Sequence, residues 1–228
     1  ALYELKKKEN IKLYRSFTTI TEHISVLSYS SKKIIKDFNG DTHKTVLFLS
    51  YKAENWNTMD NIYKKYCQEK DIKVIVQCVP YYYKNIDGTF EKYIDGGMYP
   101  EYVTITPIED YNYVNENPDV IVFQYPYDNY NSAGTTDPVF YSYNLASHTQ
   151  KLIYIPYFRT DEIDENDMRA YTNMDAYVTM PGVVYADKVI VQSEEIRKLY
   201  IKKLTDFFGE ESEDEWEDKI EAEDIGGI

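Results

Sequence analysis

Tyr125, Tyr127, Asp128 and Asn131 crowd hydrogen-bonding side chains into the stretch that follows an apolar run at 120–123. A carboxylate among phenols at such a place can serve as a general base or hold the hydroxyls of a sugar or glycerol unit. Pro126 fixes the backbone as the chain leaves the run. The same residue types also suit a plain turn closed by Asx-type hydrogen bonds. A second set, Ser50, Tyr51 and Asn55, follows the run at 45–49 and precedes a segment of helical periodicity. Backbone N–H groups left free at a helix start attract phosphate. The glycines that let a backbone approach a pyrophosphate are missing, since neither GxGxxG nor a GxxxxGKS or GxxxxGKT sequence occurs. That argues against a standard dinucleotide or P-loop site. At 80–83 and 156–158 a proline is followed by aromatics, a pattern that suits an aromatic-walled cleft or simple capping of a sheet's end.

Other candidates read as structural. His23, His43 and His148 are dispersed, and only His148 lies near an apolar run, at its amino end, the wrong edge for a ligand. Asp161, Asp164 and Asp167, with Glu162 and Glu165 between them, lack the central glycine and terminal glutamate of a calcium loop. Ser193 stands outside any GxSxG elbow and, ahead of Glu194 and Glu195, reads as a helix cap. No metal site and no cofactor are expected.

The elements that must position these residues are five short apolar runs, at 45–49, 72–76, 120–123, 152–155 and 189–191. Near-continuous β-branched runs are what strands buried on both faces look like. Alternated with helices, expected near 58–69, 139–145, within 165–185 and over 193–208, they predict a parallel sheet in an α/β layer. Such sheets bind ligands at the carboxyl ends of their strands. The expected fold is α/β, a Rossmann-like, mainly parallel sheet with flanking helices, preceded by a helical N-terminal segment. Residues 102–105 are a possible further strand. Residues 1–40 read as the helical lead, 41–209 as the Rossmann-like domain and 210–228 as an acidic tail or truncated linker, with Gly209 placed to stop the last helix; the charge run of the tail reads as solvated, with room for a short helix around Trp216.

Composition narrows the function classes. The chain of 228 residues is 43% hydrophobic and 16% aromatic, enough to bury a full core, and holds 25 tyrosines. Its net charge is −14, with acid concentrated at 210–224. No basic stripe is evident, so nucleic acid is not an expected partner. The lysines of the lead suit either an anionic membrane surface or, more commonly for such a run, the solvated face of a packing helix. Cys67 and Cys78 fit reduced thiols better than a disulfide framework, and Ala1 does not open a charged-then-apolar leader. A cytoplasmic location is expected, with peripheral contact at the inner membrane face through the lead.

One ordered series of segments has a family likeness. Asn57-Thr58-Met59-Asp60-Asn61-Ile62-Tyr63, Val79-Pro80-Tyr81-Tyr82, Pro118-Asp119-Val120-Ile121 with Tyr125-Pro126-Tyr127-Asp128, Lys151 to Tyr157, and Ala186 to Ser193 resemble the amino-terminal half of bacterial CDP-glycerol glycerophosphotransferases, enzymes of teichoic-acid-type polymers. The resemblance spans roughly residues 44–208. It implies a GT-B arrangement of two Rossmann-like domains facing a cleft, with this domain shaping the acceptor side. The second would hold most CDP-glycerol contacts and the histidines of transfer. The chain stops where that donor domain should begin, so activity alone is not expected. Their position at strand exits makes Tyr127 and Asp128 the first candidates for contact with a polyol-phosphate or sugar acceptor, with Ser50, Tyr51 and Asn55 secondary. A competing expectation is a non-catalytic α/β binding or regulatory module, receiver-like or sugar-sensing.

Overall fold

The computed structural model describes Leu27, Ser31 and residues 43–226 apart from Gly96, Glu162 and 164–166. The expected helical lead at 1–40 lies outside the described residues, save those two. Six strands form one sheet in the order β2-β1-β5-β7-β8-β9: β1 Lys44–Ser50, β2 Ile72–Cys78, β5 Val120–Phe123, β7 Lys151–Tyr154, β8 Lys188–Val191 and β9 Ile220–Ala222. Every pairing within it is parallel. The expected α/β Rossmann-like fold is what the chain adopts.

The apolar runs are continuous because both sheet faces are covered. Leu47, Leu49, Ile121, Phe123, Leu152, Tyr154, Val189 and Val191 enter one core. Leu199, Tyr200 and Leu204 of helix α7 (Glu194–Phe208) pack into the same core. Val46, Phe48, Val76, Val122, Ile153 and Ile190 enter the other, with Met59, Ile62 and Tyr63 of helix α1 (Asn57–Cys67). Alternate residues of a strand point to opposite faces, so neighbours such as Leu47 and Phe48 serve different cores. Two aspartates stitch the amino edge of the sheet. Asp119, ahead of β5, accepts the Thr45 N–H at 2.8 Å, and Asp187, ahead of β8, accepts the Leu152 N–H at 2.6 Å. From β1 the chain moves outward to β2 and later returns to the other side of β1 as β5. The order therefore reverses between β1 and β5, and such a reversal opens a crevice at the carboxyl edge.

Two expectations are corrected, at 102–105 and within 165–185. Residues 102–105 form no strand; Ile105 makes one isolated parallel bridge to Val76. A separate antiparallel sheet is present instead, in the order β4-β3-β6, from β3 Tyr81–Lys84, β4 Phe90–Tyr93 and β6 Gly134–Thr136. Pro80 ends the run of β2, and the turn at Asp87-Gly88 folds β4 back, Gly88 taking a φ of +83° that favours glycine. The helical stretch within 165–185 is divided into α4 (Met168–Asn173), α5 (Asp175–Val178) and α6 (Pro181–Tyr185), the last opening on a proline. α2 (Tyr113–Glu116) and α3 (Ser142–Ala146) precede them.

The acidic segment from 210 on is not a solvated tail. Gly209, at φ +109°, ends α7, and α8 (Glu213–Lys219) turns back to place Trp216, 2% exposed, against Phe208 at 5.2 Å. Glu213, Asp214 and Glu215 occupy the first turn of α8, where the helix dipole favours negative charge. β9 then pairs in parallel with β8, and Ile220 and Ile225 are buried. The charge is amphipathic: the acids face water while Trp216 and Ile220 complete the first core.

Candidate functional site

The carboxyl edge at the β1/β5 reversal is organised by a residue that the sequence did not single out. Gln124, the first residue after β5, is fully buried. Its Oε1 accepts the Tyr51 N–H at 3.0 Å, and its Nε2 donates to the Asn55 carbonyl and to Thr58 Oγ1, both at 2.9 Å. One side-chain amide thereby fastens the loop after β1 to the end of β5. Beneath it, the buried Ser50 hydroxyl accepts from the Tyr99 hydroxyl at 3.0 Å. The Asn55 Oδ1 is buried without a hydrogen-bond partner.

Above this layer the tyrosines converge. The Tyr51 ring centre lies 4.9 Å from that of Tyr81, 5.1 Å from Tyr125 and 5.0 Å from Tyr157. Tyr125 continues to Tyr127 at 5.2 Å, and Tyr81 continues to Tyr93 at 5.0 Å across the β3–β4 pair. Cross-strand registration of Tyr81 with Tyr93 puts both on one face of the small sheet. Several hydroxyls are engaged. That of Tyr125 donates to the Gly134 carbonyl at 3.1 Å, those of Tyr81 and Tyr83 lie 3.2 Å apart, and those of Tyr127 and Tyr157 3.5 Å apart. Lys52 Nζ stands 5.4 Å from both the Tyr51 and Tyr81 ring centres, in cation–π range, and 3.5 Å from Glu54. Burial first, and neighbouring phenols second, hold the Tyr51 and Tyr125 hydroxyls far above the ordinary tyrosine range. Burial also leads for Tyr127, followed by the hydrogen bond with Tyr157. These phenols stay protonated at neutral pH, where they donate and accept hydrogen bonds but supply no base.

Asp128 is turned elsewhere. It is 4% exposed, adopts a φ of 49°, and accepts from the Ser142 N–H at 2.8 Å and the Ser142 hydroxyl at 2.9 Å. It ties the start of α3 to the β5 exit. Burial pushes its carboxyl up to about 6, against the pull of the two Ser142 hydrogen bonds. Asn131 Oδ1 accepts the Ala133 N–H at 2.8 Å, and the Asn131 carbonyl accepts from Lys84 Nζ at 2.7 Å. Its side chain also reaches Tyr125, where it offsets part of that phenol's shift.

Of the residues expected to form the site, Tyr51, Tyr125 and Tyr127 come together in one aromatic rim, with Asn131 beside Tyr125. Ser50 and Asn55 lie below that rim in the Gln124 layer. The Asp128 carboxylate belongs to the α3 junction. Tyr81, Tyr83, Tyr93, Tyr157, Lys52 and Gln124 join the arrangement without having been named as candidates. The proline-then-aromatic pattern at 80–83 and 156–158 was the signal for the tyrosines. For Gln124 the only signal was a polar residue closing an apolar run.

Among the described residues no group of three His, Cys, Asp or Glu side chains is arranged to hold a metal ion, and no helix is long and apolar enough to cross a membrane. Comparison of the chain with protein-family models, with curated proteins and with solved structures finds no match.

Proposed function

We propose that this chain is the acceptor-side domain of a glycerophosphotransferase-like or glycosyltransferase-like enzyme of cell-wall or capsule polymer synthesis, and that the tyrosine rim holds a hydroxyl-bearing acceptor. The observation that carries the reading is the convergence of Tyr81, Tyr125 and Tyr157 on Tyr51, each within 5.1 Å, at the reversal point of a parallel sheet. Apolar ring faces edged by hydroxyls suit a polyol or sugar, whose C–H faces stack while its hydroxyls find partners. Lys52, the cation over two of these rings, suits an acceptor that also carries phosphate.

In the proposed reaction an acceptor hydroxyl attacks the activated phosphate of CDP-glycerol, and the cytidine nucleotide leaves. This domain contributes by holding the acceptor in place, which is an entropic contribution. Donor contacts and proton transfer fall to a second domain, as the family resemblance implies. Peripheral association with the inner membrane face through the lysine-rich residues at 1–40 belongs to the same proposal. A receiver-like role is less well supported, because the carboxylate of Asp128 already accepts two hydrogen bonds from Ser142 and is buried away from a phosphodonor.

The test is titration of the chain with glycerol 3-phosphate, followed by NMR of the tyrosine rings. Binding is expected to shift Tyr51 and Tyr125, and Tyr51→Ala should weaken it about tenfold, equivalent to about 1.4 kcal/mol. Glycerol 3-phosphate leaving every rim resonance unmoved would overturn the proposal.

A further inference from the structure

Two of the loops that build the rim are held in the same way, by a glutamine standing at the exit of the neighbouring strand. Gln124, directly after β5, accepts an N–H and donates to a carbonyl of the loop after β1, the neighbour of β5 in the sheet. Gln192, directly after β8, does the same for the loop after β7, the neighbour of β8. Its Oε1 accepts the Thr160 N–H at 2.9 Å, and its Nε2 donates to the Thr160 carbonyl at 2.6 Å. The first loop carries Tyr51 and the second carries Tyr157, whose ring centres lie 5.0 Å apart.

Residues 157–160 belong to no helix or strand, so their backbone groups depend on partners of this kind. A side-chain amide suits the task, because its donor and acceptor lie side by side and can meet both groups of one residue. A carboxylate lacks the donor and an ammonium lacks the acceptor. Gln192 is itself well fixed. Val191 before it is paired to Ala222 in the sheet, and Ser193 after it caps α7, its hydroxyl accepting the Ile196 N–H. Phe158 packs edge-on against Tyr177 at 5.2 Å and anchors the middle of the loop, while the amide anchors its end. On the outer side Arg159 donates to the Gly226 carbonyl and stands 3.8 Å from Asp224, but both side chains are exposed and such a pair contributes little. Tyr157 in turn joins two parts of the rim: its ring meets Tyr51, and its hydroxyl lies 3.5 Å from that of Tyr127.

We infer that Gln192 is a positioning residue of the site: its amide fixes the 157–160 loop and so holds Tyr157 against Tyr51 and Tyr127. With Gln124 it makes the rim a surface formed before the acceptor arrives, so that little ordering is left to oppose binding. The inference rests on the acceptor-binding reading of the rim and adds how that site is kept ready.

The experiment uses the full chain and compares wild type with Gln192→Leu, Gln192→Glu and, as a control for general loosening, Trp216→Ala. Tyrosine-ring NMR contacts are read without ligand and then during titration with glycerol 3-phosphate, well below the unfolding temperature of each variant. In wild type the Tyr51–Tyr157 ring contact is expected before ligand is added and is kept on saturation. Gln192→Leu should weaken that contact and lower the affinity about threefold to tenfold, the equivalent of one or two hydrogen bonds. The Tyr81–Tyr93 contact, set by the β3–β4 pairing, should be unchanged. Trp216→Ala, though less stable, should bind as wild type does. If Gln192→Leu fails to fold, Gln192→Glu, which keeps the size and the acceptor but lacks the donor, carries the test with a smaller loss in the same direction. Wild-type affinity with Tyr157 unmoved in the Gln192 variants would overturn the positioning role and leave the rim reading standing. An equal loss of affinity in Trp216→Ala would also overturn it, since the effect would then be general. A Tyr51–Tyr157 contact that forms only on saturation would overturn the preformed rim. A wild-type chain that binds no glycerol 3-phosphate would overturn the rim reading and the positioning role together.

Discussion

Gln124→Leu separates the organising role of the amide from its volume, since leucine fills nearly the same space without polar atoms. In the wild type the amide makes four hydrogen bonds, with the Tyr51 N–H, the Ser50 hydroxyl at 3.5 Å, the Asn55 carbonyl and Thr58 Oγ1. Their loss is unequal. The Asn55 carbonyl keeps its bond from the Thr58 hydroxyl at 3.2 Å, so neither of those groups is orphaned. The Tyr51 N–H loses its acceptor, in a half-buried bend between β1 and α1. An unmet buried donor costs about 1–3 kcal/mol, and each of the two bonds from Nε2 contributes about 0.5–1.5 kcal/mol; the Ser50 hydroxyl keeps the Lys52 carbonyl as an acceptor at 3.4 Å and adds little. Relief from burying a polar amide offsets part of this, which leaves roughly 2–4 kcal/mol of destabilisation. That is a large share of the ~5–15 kcal/mol that holds a typical domain together. Urea unfolding followed by circular dichroism should show a lower midpoint at unchanged slope, and the Tyr51 ring resonances should shift even without denaturant. Gln124→Glu should lose less at low pH than at neutral pH, because a carboxylate facing the Asn55 carbonyl repels it only when ionised. A Gln124→Leu protein within ~0.5 kcal/mol of wild type, with Tyr51 unmoved, would refute the view that this amide builds the rim.

Trp216→Ala should destabilise the chain by about 3–5 kcal/mol in the same assay, the range for emptying a buried aromatic site, whereas a solvated tail would give no measurable change. For Asp128 the sign follows from a folded-state value raised to about 6 above an unfolded value of about 3.9. The folded state then binds the extra proton, so this contribution is full below about pH 4 and is lost as pH rises through 6. Asp128→Asn, whose amide tolerates the positive φ and can still accept from the Ser142 N–H, should gain roughly 1–2 kcal/mol at pH 7 and flatten stability between pH 4 and 6; a loss at pH 7 would contradict this account. Gly182→Ala should cost about 1–3 kcal/mol, because an added Cβ would sit 2.5 Å from Pro126 Cα in the backbone that carries Tyr125 and Tyr127. Unfolding of this variant at the wild-type midpoint would show that the loop yields freely.

The parallel sheet was readable because burial on both faces leaves a one-dimensional mark, the unbroken apolar run, at β1, β2, β5, β7 and β8. β9 carries no such mark: Ile220-Glu221-Ala222 is an edge strand whose Glu221 pairs with Lys188 at its solvent side. The acids around it read as solvated, when only one side of α8 is. The small sheet was hidden for a different reason. Tyr81 to Lys84 reads as polar-aromatic, and β6 is three residues whose partner lies in β3, a pairing that no local pattern encodes. For the site, strand-exit position located Tyr51, Tyr125 and Tyr127, because topology alone puts exits on one edge. Position could not tell which way Asp128 faces. Its left-handed backbone and the distant Ser142 decide that, and both are tertiary facts.

The two edges of the main sheet divide the chemistry between them. At the amino edge, Asp119 and Asp187 accept backbone N–H groups from β1 and β7 and hold neighbouring strands in register. Each stands immediately ahead of the next strand, Asp119 before β5 and Asp187 before β8. At the carboxyl edge, Gln124 and Asp128 do the joining, and the side chains left facing outward are phenols held protonated by burial. The Asp128 carboxylate is spent on structure and the rim tyrosines carry no charge, so these groups can orient a hydroxyl but do not take its proton. In the proposed transfer reaction the base would therefore come from outside these groups, and positioning would be what the rim contributes.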